Sequence, residues 1–329
     1  MARKKADVKK AAGKAIKKTA SQTMKQVKEV ELEFSNTIFD DVYRTIVSRM
    51  PQFIIPVIND AFGTRYPMNV PFEQLKNEFY RKGGKIVTDS IFLIEGHIYH
   101  VECQSNPDNT MAIRMFEYGL EIAIERARKN KDYLHVDLPE SAVIYLRHTA
   151  QTPDTLTVEV SAPNGQTLNY ESKVIKVQEY TKDAIFRKKL LMYLPFYIMR
   201  YENELKTIDK DKKRLESLLK EYVGICAKLE KVLEDNGESE VYGDLVGYIL
   251  EIVDYMLRTQ ENARKEMNKM GGKILESYTE KTRRNSQKEL ANAVRDISSG
   301  VKPAELKKKY DAETIKNAKD TIKIAKSMK

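Results

Sequence analysis

The chain has no tryptophan, four histidines and two cysteines among its 329 residues. Cys103 and Cys226 lie 123 positions apart. One such pair cannot build a disulfide framework, so a reducing compartment and a cytoplasmic location are expected. His135 and His148 have no cysteine or second histidine at ligand spacing, which argues against zinc. His97 and His100 are three apart on a predicted strand and point to opposite faces. No stretch approaches the ~20 consecutive apolar residues of a membrane span, and the start carries no apolar signal core. No glycine-rich phosphate loop follows a strand, which removes the ATPase and dinucleotide classes. What the chain does have is 41% apolar residues, 18 tyrosines and 10 phenylalanines, enough to build a core and exclude simple disorder.

The net charge of +9 is unevenly placed. Residues 1–28 hold ten bases against the single acid Asp7, which accounts for all of it; the remaining 301 residues carry 47 bases and 47 acids. Lys4, Lys5, Lys9 and Lys10 open this tail, interleaved with alanines. The segment reads as a basic, flexible extension that a nucleic-acid backbone would hold in a salt-sensitive way.

From Glu33 the pattern becomes periodic. Ile38, Val42, Ile46 and Val47 recur at helical spacing and Pro51 stops the helix. Residues 85–105 read as two strands around Glu95-Gly96, followed by a helix from about Asp108 to Lys131. Strands are predicted at 142–147, 156–161 and 168–177, the last two joined through Asn164-Gly165. The pattern is an α/β domain over 29–208 with a mixed sheet flanked by helices. Beyond it only helices are read. Leu215 to Leu233 and Leu245 to Met256 form two stripes joined by a glycine turn, an antiparallel pair over 209–260. A helical extension over 261–329 follows, with one helix starting after Gly271-Gly272. Gly300, Pro303 and Asp311 then punctuate two short helices, a pattern shared by helix-turn-helix motifs and by any pair of short polar helices.

The chemistry concentrates in the 85–105 hairpin. With Glu95-Gly96 as a two-residue turn, Ile94 pairs with His97, Asp89 falls opposite Glu102, and Val87 falls opposite Gln104. Alternation then puts Asp89, Glu102 and Gln104 on one face, with Phe92, Ile94, Tyr99, Val101 and Cys103 on the other. Two like charges directly opposed are destabilising, and a bound divalent cation is the simplest reason for them, because Mg²⁺ favours one or two carboxylates completed by water and phosphate. The bland alternative is two solvated acids on an exposed face. Cys103 reads as a small core residue. His100 shares the face of Glu102.

The stretch from Val101 to Tyr118, VECQSNPDNTMAIRMFEY, resembles the E-x-Q-S … M-x-x-R-M-x-E-Y signature of the recombination-promoting nuclease/putative transposase family, within the PD-(D/E)XK nuclease superfamily. Asp40-Asp41-Val42-Tyr43-Arg44 resembles that family's D-x-x-F-K element, with Tyr for Phe and Arg for Lys. The likeness spans roughly residues 35–205. It implies a restriction-endonuclease-like fold, with Asp89 and Glu102 as ligands of Mg²⁺ or Mn²⁺ and Gln104 at the superfamily's lysine position. Asp40 is implied as an auxiliary acid, and Arg114 and Tyr118 as supports of the hairpin or contacts to DNA. A glutamine can orient a water but cannot deprotonate it. The expected function is a metal-dependent DNA endonuclease of a mobile or recombination system, with DNA as partner, no membrane, and a homodimer through the helical C-terminal region. The rival is a non-catalytic nucleic-acid or protein-interaction module keeping the same fold.

Overall fold

The computed structural model describes residues 38–81 and 84–327. The lysine-rich segment with Lys4, Lys5, Lys9 and Lys10 lies outside the described residues. Helix α1 occupies residues 38–49 and buries Phe39, Val42, Tyr43, Ile46 and Val47. It ends because Pro51 has no N–H to continue it, and a 3₁₀ turn over Pro51–Phe53 leads into α2 (Ile54–Phe62). Strands β1 (Phe72–Gln74), β2 (Glu78–Arg81), β3 (Gly84–Val87), β4 (Ser90–Ile94) and β5 (His97–Gln104) come next, then α3 (Met111–Glu125). After a two-stranded ribbon of β6 (Arg128–Lys129) and β7 (Leu134–His135) come β8 (Glu140–Tyr145), β9 (Thr155–Ser161) and β10 (Thr167–Lys176).

Six strands form one mixed sheet in the order β1-β4-β5-β8-β10-β9. The β1-β4-β5 side is antiparallel, β5-β8 and β8-β10 are parallel, and β9 returns antiparallel on β10. Helix α3 makes the crossover between the parallel strands β5 and β8. Met111 and Met115 pack on Val143 and Tyr145 beneath it, so α3 covers the sheet face that carries His100 and Glu102. The fold is therefore α/β, as the element pattern implied.

Glu95 and Gly96 form the expected two-residue turn, with φ values of 49° and 87°. Positive φ at both positions is the geometry of a type I′ turn, whose twist matches that of the strands it joins. Ile94 pairs with His97 and Ser90 with Val101, the predicted register. The ladder stops at Ser90, so the predicted Asp89–Glu102 and Val87–Gln104 pairs lie beyond it. Val87 sits opposite Glu78 in a separate β2-β3 ribbon instead of opposite Gln104, because the chain leaves the sheet at Thr88 and Asp89. Helix α3 also stops short of Lys131, where Asn130-Lys131-Asp132 supplies turn chemistry for the β6-β7 ribbon.

Everything after β10 is helical. The short α4 (Lys182–Arg187) is followed by a largely buried 3₁₀ run at Leu191–Tyr201 and then by α5 (Leu205–Lys210). Five more helices follow: α6 (Lys212–Asn236), α7 (Tyr242–Met256), α8 (Glu261–Ser298), α9 (Pro303–Lys309) and α10 (Ala312–Ser327). The described residues fall into two compact units, one up to Asp211 together with Gly247–Glu261, the other Lys212–Val246 together with Asn262 onward. The pair expected over 209–260 is thus divided within α7. The division falls between Val246 and Gly247, with Leu245 and Val246 buried before it and Ile249, Ile252 and Val253 buried after it. Nor does α8 start after Gly271-Gly272. It runs through both, Gly271 being buried, so packing outweighs the ~1 kcal/mol each helical glycine costs. In the second unit Lys281 on α8 pairs with Glu230 and Glu234 of α6, and the Tyr278 ring packs on Tyr242 at a tilt of 50° with ring centres 4.6 Å apart. Among the described residues no helix is long and apolar enough to cross a membrane.

Gly119 on α3 approaches β10 so closely that a Cβ there would stand 2.3 Å from the Tyr170 hydroxyl. Gly119→Ala should lower stability by about 1–3 kcal/mol, read as a shift in the urea midpoint with an unchanged slope. Glu95→Asn should raise it by a few tenths to ~1 kcal/mol, because asparagine tolerates the left-handed conformation better.

Candidate functional site

Asp89 closes the gap between β3 and β4, and Glu102 lies near the end of β5. Neither is solvated: their relative exposures are 6% and 2%. That excludes two acids on an open face. They are held by a reciprocal exchange with the backbone. The Asp89 amide donates to Glu102 Oε1 at 2.8 Å, and the Cys103 amide donates to Asp89 Oδ2 at 2.9 Å. The register of the β4-β5 hairpin is what lets each carboxylate reach the other strand's main chain.

Two helices flank this clasp. From α1, Arg44 puts Nε and a terminal nitrogen on Asp89 Oδ1, at 3.0 and 2.9 Å, with half of its side chain still exposed. Asp40, one helical turn earlier and half-buried, accepts no hydrogen bond among the described residues. Also from α1, the Tyr43 hydroxyl bonds Ser90 at 3.1 Å, fixing the helix to the start of β4. From α3, Arg114 lies along Tyr118, 3.4 Å from its hydroxyl and 3.6 Å from Asp108. The Tyr118 ring meets the His100 imidazole edge to face at 5.9 Å. Arg114 is close enough for its charge to act on Asp40 and for Glu102 to act on it.

Below Glu102 runs a buried polar chain. His100 Nε2 meets Glu102 Oε1 at 2.9 Å, His100 Nδ1 meets the Ser141 hydroxyl at 3.3 Å, and Ser141 meets the Tyr170 hydroxyl at 2.5 Å. With Glu102 as a carboxylate, Nε2 carries the imidazole proton and donates it. Oε1 thereby receives two donors, whereas no hydrogen bond reaches Oε2 among the described residues.

Electrostatics follow from this crowding. Burial, then the negative charge of Glu102, pushes the Asp89 carboxyl up to about 7, against the lowering effect of the Cys103 amide and Arg44. Burial pushes Asp40 up to about 6; Arg44 opposes that shift while Asp41 and Glu102 add to it. The partly exposed guanidinia of Arg44 and Arg114 do not offset the rise of Asp40, nor does Arg44 offset that of Asp89. Burial raises the Cys103 thiol well above its ordinary value, so it is inert core, as its place on the apolar face implied.

The structure therefore brings Asp40, Asp89, Glu102, Arg114 and Tyr118 together. Gln104 follows on the same strand face as Glu102, half-buried, while its carbonyl accepts from the Leu146 amide at 2.9 Å. Sequence reasoning assigned no role to Arg44 or to Ser141 and Tyr170. Arg44 was findable, because residues four apart on α1 share a face with Asp40. Ser141 and Tyr170 left no local signal.

The donors available to a cation are hard carboxylate oxygens: Asp40, the remaining lone pairs of Asp89 and Glu102 Oε2. They suit Mg²⁺ or Mn²⁺, which take few protein ligands and keep water. As the side chains stand, no three His, Cys, Asp or Glu among the described residues are grouped to hold a metal on their own. Arg44 must leave Asp89 for that carboxylate to bind one fully. No protein-family model, curated protein or solved structure matches this chain.

An acid with a raised folded-state pKa binds more protons folded than unfolded, so stability falls as pH rises from the unfolded value of 3.8 through about 6 and 7. Without divalent ions, the chain should gain on the order of 1 kcal/mol between about pH 8 and about pH 6. Asp89→Asn should flatten that rise in a pH series of chemical denaturation curves.

Proposed function

We propose that this chain is a metal-dependent DNA endonuclease of the recombination-promoting, transposase-like type, built on a restriction-endonuclease-like sheet. The carrying observation is that two nearly dry carboxylates, Asp89 and Glu102, each accept a backbone amide from the other's side of the hairpin, close enough to each other and to Asp40 for their charges to interact. Crowded acids of this kind are tuned for a counter-ion. The likeness of residues 101–118 to the family signature and the mixed, helix-flanked sheet support the same reading.

Asp40, Asp89 and Glu102 Oε2 would hold Mg²⁺ or Mn²⁺, which when bound lowers the pKa of a water and polarises a phosphate oxygen. The protein's own groups do the rest. His100 and the Asp89 amide occupy Glu102 Oε1 and so hold the other oxygen toward the site. Gln104 orients a water through its amide without titrating. Arg44, once displaced from Asp89, carries its charge to the scissile phosphate. Arg114, braced by Tyr118 and Asp108, is a second cation within reach of the backbone.

One observation favours the second reading, a non-catalytic module: the Arg44–Asp89 ion pair already completes part of the site. The two readings differ in what metal does. In the nuclease reading, Mg²⁺ or Mn²⁺ raises the melting temperature of the wild type, and Arg44→Ala enlarges that rise. Supercoiled plasmid is nicked, with a loss of about 10²-fold or more in Asp89→Asn and Glu102→Gln. Stabilisation absent in both wild type and Arg44→Ala, with nicking unchanged in the acid variants, would establish the module instead.

A further inference from the structure

The last 30 described residues, at the end of the second unit, form a small assembly of their own. Helix α8 closes as the Ser299, Gly300 and Val301 amides turn back onto the carbonyls of Arg295, Ile297 and Asp296. Pro303 then opens α9, where its missing N–H costs nothing. Seven residues later a two-residue joint, Tyr310-Asp311, leads into α10. Asp311 caps α10: the Thr314 amide donates to Oδ1 at 2.6 Å and its hydroxyl to Oδ2 at 3.2 Å. Leu306 on α9, Ala318 on α10 and Ala293 on α8 are all buried. The Tyr310 hydroxyl and Lys309 tie the joint to Asp296 of α8 at 3.0 and 3.2 Å. A short helix, a tight joint and a longer second helix thus pack as a unit against the end of α8.

The outer face of α10 is predominantly basic. Lys316, Lys319 and Lys323 are exposed and spaced by three and four residues, one stripe about 10 Å long. No ion pair engages any of them among the described residues, although Glu313 and Asp320 stand on the flank. Between Lys302 and Lys323 there are seven lysines and four acids, a net +3. Ala318 is buried and Ile315 and Ile322 half-buried, which leaves Ile324 as the exposed large apolar side chain among the described residues of α10, too little to lay on a lipid surface. An unneutralised lysine stripe on the second helix of such a pair fits a polyanion with a groove wide enough for a helix. The major groove of B-form DNA, about 12 Å across, is one; the deep, narrow groove of A-form RNA is not.

We propose that α9 and α10 form a helix-turn-helix that seats the Lys316–Lys319–Lys323 face of α10 in the major groove of duplex DNA. This goes beyond the acid site and stands whether or not the acids cleave. The lysines contact phosphates and position the chain on the duplex without reading its sequence.

The test uses the full chain in EDTA, so that no cleavage intervenes, with a fluorescent mixed-sequence duplex of about 30 base pairs, three helical turns. The variant is Lys316→Ala/Lys319→Ala/Lys323→Ala. Its charge-matched control is Lys265→Ala/Lys269→Ala/Lys288→Ala on α8, and far-UV circular dichroism checks that both fold. The slope of log K against log salt should become shallower by close to 3 in the α10 variant, about 0.9 for each phosphate no longer neutralised, with affinity at low salt falling at least tenfold. The control should move much less. A slope and affinity equal to wild type, an equal fall in the control, or duplex RNA bound as tightly through the same lysines would each overturn the proposal.

Discussion

Taking two carboxylates out of water side by side costs several kcal/mol unless donors meet them, and the whole first unit is arranged around meeting that demand for Asp89 and Glu102. Each receives a backbone N–H from the opposing strand, which only one hairpin register allows. A shift of one residue would point Glu102 to the other side of the sheet and leave both amides without these acceptors. The type I′ turn at Glu95-Gly96 sets that register, and the elements packed around it hold it in place.

The donors differ in how easily they are removed. The backbone amides and the His100 imidazole are buried and move only if the sheet opens. Arg44 reaches Asp89 from the surface of α1 with half its side chain in water, so it is the donor another cation could displace, provided that cation compensates the buried carboxylate. The clasp therefore has a permanent side and a replaceable one. The permanent side continues through Ser141 to Tyr170, whose hydroxyl lies where Gly119 lets α3 come close to β10. Helix packing and the orientation of Glu102 are in this way mechanically joined: a change at Gly119 acts on Tyr170, and through Ser141 on His100.

The second unit is governed by other physics. Its helices are charged and amphipathic, and ion pairs such as those of Lys281 lie where α6 and α8 meet. The stripe on α10 differs in that three lysines with no ion pair among the described residues share one face of a helix whose other side is packed. Unpaired cations on a helix already packed on its apolar side are free to serve an external partner.

What the amino-acid sequence determined by itself was local. The turn at Glu95-Gly96, the alternation on either side of it and the stop at Pro51 are all set by neighbours in the chain. The nearness of Asp89 to Glu102 was legible for the same reason, since counting outward from the turn is enough to bring them together. The tertiary structure alone decided what those acids would meet. Arg44 lies 45 positions from Asp89, Ser141 lies 41 from His100, and Tyr170 a further 29 from Ser141. The i,i+4 spacing on α1 ties Arg44 to Asp40, but nothing in a linear pattern reports that Arg44 will meet Asp89 or that the β8-β10 strands will deliver Ser141 and Tyr170. Packing also decided where the helical units divide and that α8 passes through two glycines. Those outcomes balance buried apolar area against backbone entropy, and burial is a property of the packed chain, not of its local sequence.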